Sequence, residues 1–208
     1  MRKYLLLLCF LAPILALGQT KRQLKKALAQ VDSLDQIDPF ITKYKNRAVI
    51  EILDFYSVDT TYDKSLRELK KNRVLTTKSQ SSTTFYKAVH VKPELEFRVS
   101  YIFFDGKKLS RTEIDSLRSL VIDRYLQGVP FAKLNNEYNM DKVALGGEMG
   151  WFKSGHTVPP FEAGIKDRKK GEIFKVDVED RDWYYVVLKT HDNRINTWRI
   201  VLEVKIEE

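Results

Sequence analysis

Chemistry needs reactive side chains brought close together, and this chain offers few candidates. Its 208 residues hold one cysteine, Cys9, and three histidines, His90, His156 and His191, far apart in sequence. With Cys9 inside an apolar N-terminal run, the rest of the chain has no thiol for a disulfide, a Cys-ligated zinc or a cysteine nucleophile. No metal and no cofactor are expected. The densest set of unusual residues lies between Gly128 and Phe161. It reads Gly128-Val-Pro-Phe131-Ala-Lys-Leu134-Asn-Asn-Glu137-Tyr138-Asn-Met-Asp141, then Leu145-Gly146-Gly147-Glu148-Met149-Gly150-Trp151-Phe152, then Gly155 and Pro160-Phe161-Glu162. Gly146-Gly147 lets the backbone take positive φ just before a strand, and Gly150 permits close approach where a peptide can lie.

The elements that must hold these residues follow from periodicity. Phe85 to Val91 and Phe97 to Phe104 are β-branched and aromatic, so they predict two strands joined through Lys92-Pro93-Glu94. Ser110-Arg-Thr-Glu113 has the form of a capping box and predicts a helix to about Gln127, with Ile114, Leu117, Leu120, Val121 and Tyr125 inward and Gly128 as its stop. Pro130 opens a short helix through Tyr138. From Trp198 to Ile206 apolar residues strictly alternate, which predicts one more strand, expected to pair with Phe85 to Val91. Upstream, Leu24, Leu28 and Val31 mark an amphipathic helix over 21–35. Asp38-Pro39 interrupts it, Ile41 to Phe55 resumes a helix-compatible pattern, and a further helix spans about 62–71. Thr76 to Thr84, polar and devoid of large apolar residues, reads as a loop near a domain boundary.

The ordered landmarks of 128–162 resemble the parvulin family of peptidyl-prolyl cis-trans isomerases, whose pattern is a "G-x-x-F-x-x-L-A-x-x-Y-S-x-D" helix, a "G-G-D-L-G-W-F" turn into a strand and a later "F-E". The resemblance covers about 97–189. It implies an α+β fold, a four-stranded antiparallel sheet wrapped by helices, and into this order fit strands at Glu148 to Lys153, Ile173 to Val178 and Trp183 to Lys189 and a helix at Phe161 to Lys166. To this the chain adds a helical N-terminal extension and an extra C-terminal strand. The expected organisation is a signal at 1–18, a helical region at 19–75, a linker and accessory strand at 76–96, the parvulin-like domain at 97–190 and the extra strand at 191–208.

What the resemblance implies for the site is carried over residue by residue. Met149 takes the family's pocket leucine, Phe161 the pocket phenylalanine, and Thr157 a position often held by methionine. Asp141 matches a polar position held by Asp or Cys, and Gly150 lies on the substrate side. Two family histidines are absent. Tyr101 stands at the first, with a hydroxyl that still donates. Val186 stands at the second, or Tyr185 if the alignment slips by one. The implied activity is isomerisation of X-Pro bonds in unfolded or exported polypeptides, with Asp141 and Tyr101 in the catalytic roles. Loss of both histidines favours a second outcome, a weakly catalytic, chaperone-like subunit of an outer-membrane export or assembly complex. Without a histidine at the site, activity is expected to be indifferent to pH between about 5 and 8. Lys107, Lys108 and Arg111 fall where phosphate-reading members keep a basic cluster, but read here as a solvated basic turn.

Composition and the N-terminus set the surroundings. Lys and Arg total 36 against 28 Asp and Glu, a formal net charge of +8. The basic residues are scattered among acids and no nucleic-acid motif is present, so nucleic acid is not an expected partner. Met1-Arg2-Lys3, the apolar run Tyr4 to Leu17 and the small residues of Ala16-Leu17-Gly18 have the order of a cleaved secretory signal, which predicts a periplasmic protein. The run is shorter than the roughly 20 residues of a membrane-spanning helix. Intact-mass measurement of the exported protein is expected to place its first residue at or beside Gln19; a mass retaining residues 1–18, or a diacylglycerol adduct, contradicts this.

Overall fold

The computed structural model describes residues 20–141 and 145–207. The expectations for a signal at 1–18 and for Cys9 lie outside these residues. Six α-helices are described: α1 (residues 20–28), α2 (Ile37–Tyr44), α3 (Lys64–Arg67), α4 (Arg111–Leu126), α5 (Phe131–Tyr138) and α6 (Pro159–Lys166). The strands are β1 (Val49–Tyr56), β2 (Val74–Lys78), β3 (Ser82–Asp105), β4 (Glu148–Lys153), β5 (Ile173–Val178), β6 (Trp183–Lys189) and β7 (Arg194–Glu207). All strand pairs with a described register are antiparallel, and the fold class is α+β. The chain divides into two compact units, Met1–Pro93 with Asn196–Glu208, and Glu94–Ile195.

In the first unit, β7 is hydrogen-bonded to β1 on one side and to β3 on the other, so the C-terminal strand does meet the segment containing Phe85 to Val91. Leu24, Leu28 and Val31 are buried as their spacing predicts. They pack with Ile37 and Phe40 of α2 against Phe85 and Val89 of β3 and Leu202, Val204 and Ile206 of β7. Several local expectations are overturned here. Helix α1 stops at residue 28, and Asp38-Pro39 lies within the first turn of α2 rather than interrupting a helix. First-turn N–H groups have no intrahelical partner, so a proline there sacrifices no bond. The helical reading of 41–55 fails because Val49-Ile-Glu-Ile-Leu-Asp-Phe-Tyr is β1, paired from Val49↔Lys205 to Tyr56↔Trp198. Its β-branched and aromatic residues fit a pleated surface, and the partner strand decides the matter. Of the predicted helix 62–71 only Lys64–Arg67 forms, with Asp63 as its cap.

The reading of Thr76 to Thr84 as a loop is also wrong. Thr76-Thr77-Lys78 belongs to β2 and pairs with Thr83-Thr84-Phe85 of β3, leaving a three-residue turn closed by Ser79 and Ser82. Threonine is β-branched and needs no apolar neighbours to extend a strand. The predicted break at Lys92-Pro93-Glu94 is absent, since β3 runs through it as one strand. Pro93 lies between the stretch paired to β2, ending at Lys87, and that paired to β4, starting at Glu96, where its missing N–H costs no bond to either.

The second unit is the expected four-stranded sheet. The C-terminal half of β3 pairs with β4 through Phe97↔Phe152 and with β6 from Val99↔Lys189 to Asp105↔Trp183, and β5 pairs with β6 from Ile173↔Leu188 to Val178↔Trp183. Side chains alternate across this sheet. Ile102, Phe104, Tyr184 and Val186 face α4 and α5, meeting Ile114, Val121, Phe131 and Leu134. Phe97, Val99 and Val187 face the other way, meeting Phe161 and Ile165 of α6 with Phe152 and Phe174.

Helix α4 begins with the predicted capping box, Ser110 N donating to Glu113 Oε2 (2.8 Å) and Glu113 N to Ser110 Oγ (3.3 Å). Its buried face is Ile114, Arg118 and Val121, not Leu120, which is 44% exposed. Arg118 is 1% exposed and its guanidinium is ion-paired with Asp177 of β5 and with Asp115. It also lies over the Tyr184 ring. The arginine stem thus fills the helix–sheet space that leucine spacing suggested for Leu120. Arg118→Ala is expected to lower stability by about 2–4 kcal/mol, and Leu120→Ala by less than about 0.5 kcal/mol, in denaturant titrations with unchanged slope.

Candidate active site

The face of the second unit that carries α6 opens into a cavity of about 520 Å³. Its floor comes from β3 and β6. Tyr101 and Tyr185 point the same way because their strands run antiparallel with Tyr101↔Val187 and Phe103↔Tyr185 in register. The two rings meet edge to face at 5.8 Å, and Tyr185 meets Phe161 likewise at 5.1 Å. Met149, Phe161, Val158, Pro159 and Trp183 supply apolar walls, and Asp141, His156, Thr157 and Arg181 the polar ones. Phe161 is also 4% exposed and part of the core beneath the cavity, so it is wall and core at once.

Asp141 is delivered to the floor by the end of α5. Asn139, the residue that caps this helix, accepts from Phe103 N (2.9 Å) through Oδ1 and donates from Nδ2 to Asp141 O (2.7 Å). Met140 N donates to Phe103 O, so the short segment is tied to β3 before Asp141 is reached. Tyr101 Oη then donates to Asp141 Oδ2 at 2.6 Å. Tyr101 is further fixed through its backbone, since buried Asn135 donates from Nδ2 to Tyr101 O (2.7 Å). Gly147 makes room for this bond. Its φ is +74°, and a Cβ there would fall against Tyr101 O and within 2.5 Å of Asn135 Nδ2. The second glycine of the pair is therefore required by close approach as well as by conformation.

Both phenols stay protonated over a wide range. Burial, reinforced by the bond to Asp141 and its charge, pushes Tyr101 well above the usual tyrosine range. Burial pushes Tyr185 up to about 12, with Asp141 adding to the shift and Arg181 opposing it. Tyr185 has no hydrogen-bond partner for its hydroxyl among the described residues, so it presents a neutral donor to whatever enters. The two candidates for the second histidine position lie on opposite faces of β6. Val186 is fully buried on the α4/α5 face, and Tyr185 is the residue on the cavity floor. A Val186→His change would put an imidazole into the core rather than restore a site.

The far rim is organised by Glu162, the second residue of the Phe161-Glu162 pair. It accepts from Gly155 N (2.8 Å), Thr157 N (3.1 Å), Ser154 Oγ (3.1 Å) and Thr157 Oγ1 (3.4 Å). Thr157 is thereby committed to the loop, and its side chain still lines the cavity. Gly150 is not among the cavity-lining residues; its φ is +67° and nothing lies within 4 Å of the position a Cβ would take. The histidine expectation needs correction, because His156 is a wall residue and the premise that no histidine is at the site does not hold. His90 meets Trp198 edge to face in the first unit, and His191 lies beside Trp151. Of the basic cluster, Arg111 is not simply solvated. It bonds Asp115 and Asp177 and lies over Tyr184, while Lys108 pairs with Asp105. The sequence reading missed Trp183, Arg181 and His156, and strand parity alone would have found Trp183, two residues from Tyr185.

Burial pushes the Glu162 carboxyl up, but the N–H groups of Gly155 and Thr157 with the two hydroxyls outweigh it and hold it below its ordinary value near 4.5. A lowered folded value means that the stabilisation is complete above that ordinary value and is lost as pH falls through the folded one. Glu162→Gln is expected to cost about 1–2 kcal/mol at pH 7, and the difference from wild type to shrink as pH is lowered from 4.5, read by thermal melts across the range.

Parts of the chain are similar to known proteins. The chaperone SurA of Cupriavidus metallidurans is 33% identical over 69 residues, 33% of this chain and 14% of that protein. The SurA of Dechloromonas aromatica is 38% identical over 69 residues, 16% of its length, and that of Chromohalobacter salexigens is 33% identical over 96, 22% of its length. The chain thus spans less than a quarter of these curated relatives. Among solved structures, a PpiC-type peptidyl-prolyl cis-trans isomerase domain superposes with TM-score 0.43 at 18% identity, covering 48% of this chain and 92% of that one. The solution structure of the parvulin domain of PpiD from E. coli gives 0.38 at 22%, covering 50% and 91%. A family profile described as "PPIC-type PPIASE domain" matches residues 81–193. That span exceeds half of the 208 residues and takes in Tyr101, Asp141, Met149, Phe161 and Tyr185, and the chain belongs to the PpiC-type peptidyl-prolyl cis-trans isomerase family.

Proposed function

We propose that the second unit is a working peptidyl-prolyl cis-trans isomerase that assists the folding of exported polypeptides, acting in the periplasm. The observation that carries this reading is the floor of the cavity, where Tyr185 offers a neutral, unengaged hydroxyl beside the Tyr101–Asp141 pair under an apolar lining of Met149, Phe161 and Trp183. The reaction makes and breaks no covalent bond. It must overcome the resonance barrier of the X-Pro amide, about 18–20 kcal/mol. An apolar wall receives the proline ring and excludes water, and a donor on the floor binds the twisted amide better than the planar one, because twisting frees the nitrogen lone pair. Asp141 holds the Tyr101 ring in place, and the edge-to-face contact of Tyr101 holds Tyr185.

Two tyrosines in place of two histidines alter the expected loss of catalysis. The second position is not apolar, as Val186 would have made it, but carries a donor. Tyr185→Phe is expected to lower kcat/KM about tenfold to a hundredfold with the melting temperature nearly unchanged, in exchange NMR on an X-Pro peptide. Tyr101→Phe, which removes the Tyr101–Asp141 bond, is expected to lower it less. Because both phenols are held protonated, with Tyr185 at about 12, tyrosine ionisation should cause no fall in kcat/KM between pH 7 and 10, where an ordinary tyrosine would already be half ionised at the upper end.

A second reading has one specific observation in its favour. The Tyr101 hydroxyl is already committed to Asp141, which leaves one free donor on the floor. On this reading the unit binds proline-containing segments with little turnover, as a chaperone-like or scaffolding part of an outer-membrane export or assembly complex. The relatives named SurA are themselves called chaperones, and they are much longer than this chain. The same exchange experiment separates the two: line broadening from binding without cis/trans exchange supports the second and removes the first.

A further inference from the structure

We propose that Arg181 is a specificity-determining residue of this pocket and selects peptides with a carboxylate side chain next to the proline, an inference that rests on the proline-binding reading above. Arg181 ends the short 3-10 turn Glu179–Arg181 between β5 and β6 and lines the cavity beside Trp183 and Tyr185. Its guanidinium lies 4.8 Å from the centre of the Trp183 ring. A planar cation resting on an aromatic face is held in place before any ligand arrives, so little freedom is lost when it donates.

What singles Arg181 out is the absence of an anionic partner. Among the described residues its guanidinium makes no hydrogen bond and no ion pair, although Glu179, Asp180 and Asp182 surround it in sequence; Glu179 instead reaches Arg111 at 3.9 Å. The other buried or stacked arginines of this unit are all engaged, Arg111 and Arg118 with Asp177 and Asp115, and Arg124 with Glu137. The cavity therefore has two poles. At one, Asp141 is already bound by Tyr101; at the other, a fork of N–H donors has no acceptor. The charge of Arg181 is felt on the floor, where it acts on Tyr185 against Asp141. A peptide whose proline ring sits against Phe161 and Met149 passes this fork with a flanking residue. A Glu or Asp there can be gripped bidentately, a neutral residue gains nothing, and a Lys or Arg is repelled. Since Arg181 is solvent-exposed, the discrimination should be modest, about threefold to fivefold, and weaker at high salt.

The test uses the full mature chain and labelled host peptides that differ only in Glu, Gln or Lys placed immediately before or after the proline. Affinity is read by fluorescence anisotropy and turnover by exchange NMR. At one flank, Glu is expected to bind about threefold to fivefold tighter than Gln, and Lys more weakly than Gln. Arg181→Gln should bring the Glu-to-Gln ratio to about one, Arg181→Glu should reverse the order of Glu and Lys, and Arg181→Lys should keep its direction. Equal affinity for all three residues at both flanks, or a Glu preference that survives Arg181→Gln, overturns the assignment even where turnover is measured. A preference in affinity without any turnover leaves Arg181 as the selector and removes the isomerase reading. Failure of every peptide to bind overturns both.

Discussion

The antiparallel register between β3 and β6 is the constraint on which the site depends. It puts Tyr101 opposite Val187 and Phe103 opposite Tyr185, so both tyrosines face α6 while Ile102, Tyr184 and Val186 face α4 and α5. A slip of one residue would exchange the two faces of β6, place Val186 on the cavity floor and bury the Tyr185 phenol among Ile114 and Leu134. The register is protected because the α4/α5 face is closed and apolar and has no place for a phenol hydroxyl, whereas the α6 face opens into the cavity. The chemistry of the floor is thus a by-product of the same alternation that builds the core.

Polar groups then fix what apolar packing leaves loose. Asn139 and Glu162 each hold a piece of loop through two or more hydrogen bonds, Asn135 ties α5 to β3 through one, and each lies beside a residue of the cavity. Buried Lys189 does the same at the end of α6, its ammonium donating to Ile165 O and to Asn193 Oδ1, while Asn193 donates to Lys166 O. Burial lowers the pKa of this lysine, a cost that the helix-end carbonyl and the Phe97 ring beneath it help to offset. Such groups are worth little individually, but a partner removed from a buried one leaves the other unsatisfied. The site is therefore rigid where it meets β3 and depends on one carboxylate, Glu162, at its opposite rim.

Much of the second unit was legible from the residues. β4, β5 and β6 begin and end where the family resemblance puts them, and the capping box of α4 forms as spelled by Ser110 and Glu113. These segments are short, strongly patterned and buried on at least one face, so local preference and tertiary demand agree. The first unit was less legible. Val49 to Tyr56 and Thr76 to Thr84 have compositions compatible with more than one state; the first is set by a partner far away in sequence, β7, and the second by the hairpin that its own two ends form. Pro39 and Pro93 show the same limit, since what a proline costs depends on whether its position had a hydrogen bond to lose.

The sequence by itself determined the α+β class and the family resemblance, because glycine, proline and aromatic spacing are local properties of the chain, and the resemblance nominated Tyr101, Asp141, Met149, Thr157 and Phe161, which line one cavity. Only the tertiary structure decided that Tyr185 and not Val186 completes the floor, that Trp183, Arg181 and His156 line the same cavity, and that Gly150 does not. The reason is geometric. A residue's type and spacing restrict what it can do, but which side of a sheet it faces and which distant loop folds over it are fixed by pairing registers that no local pattern specifies.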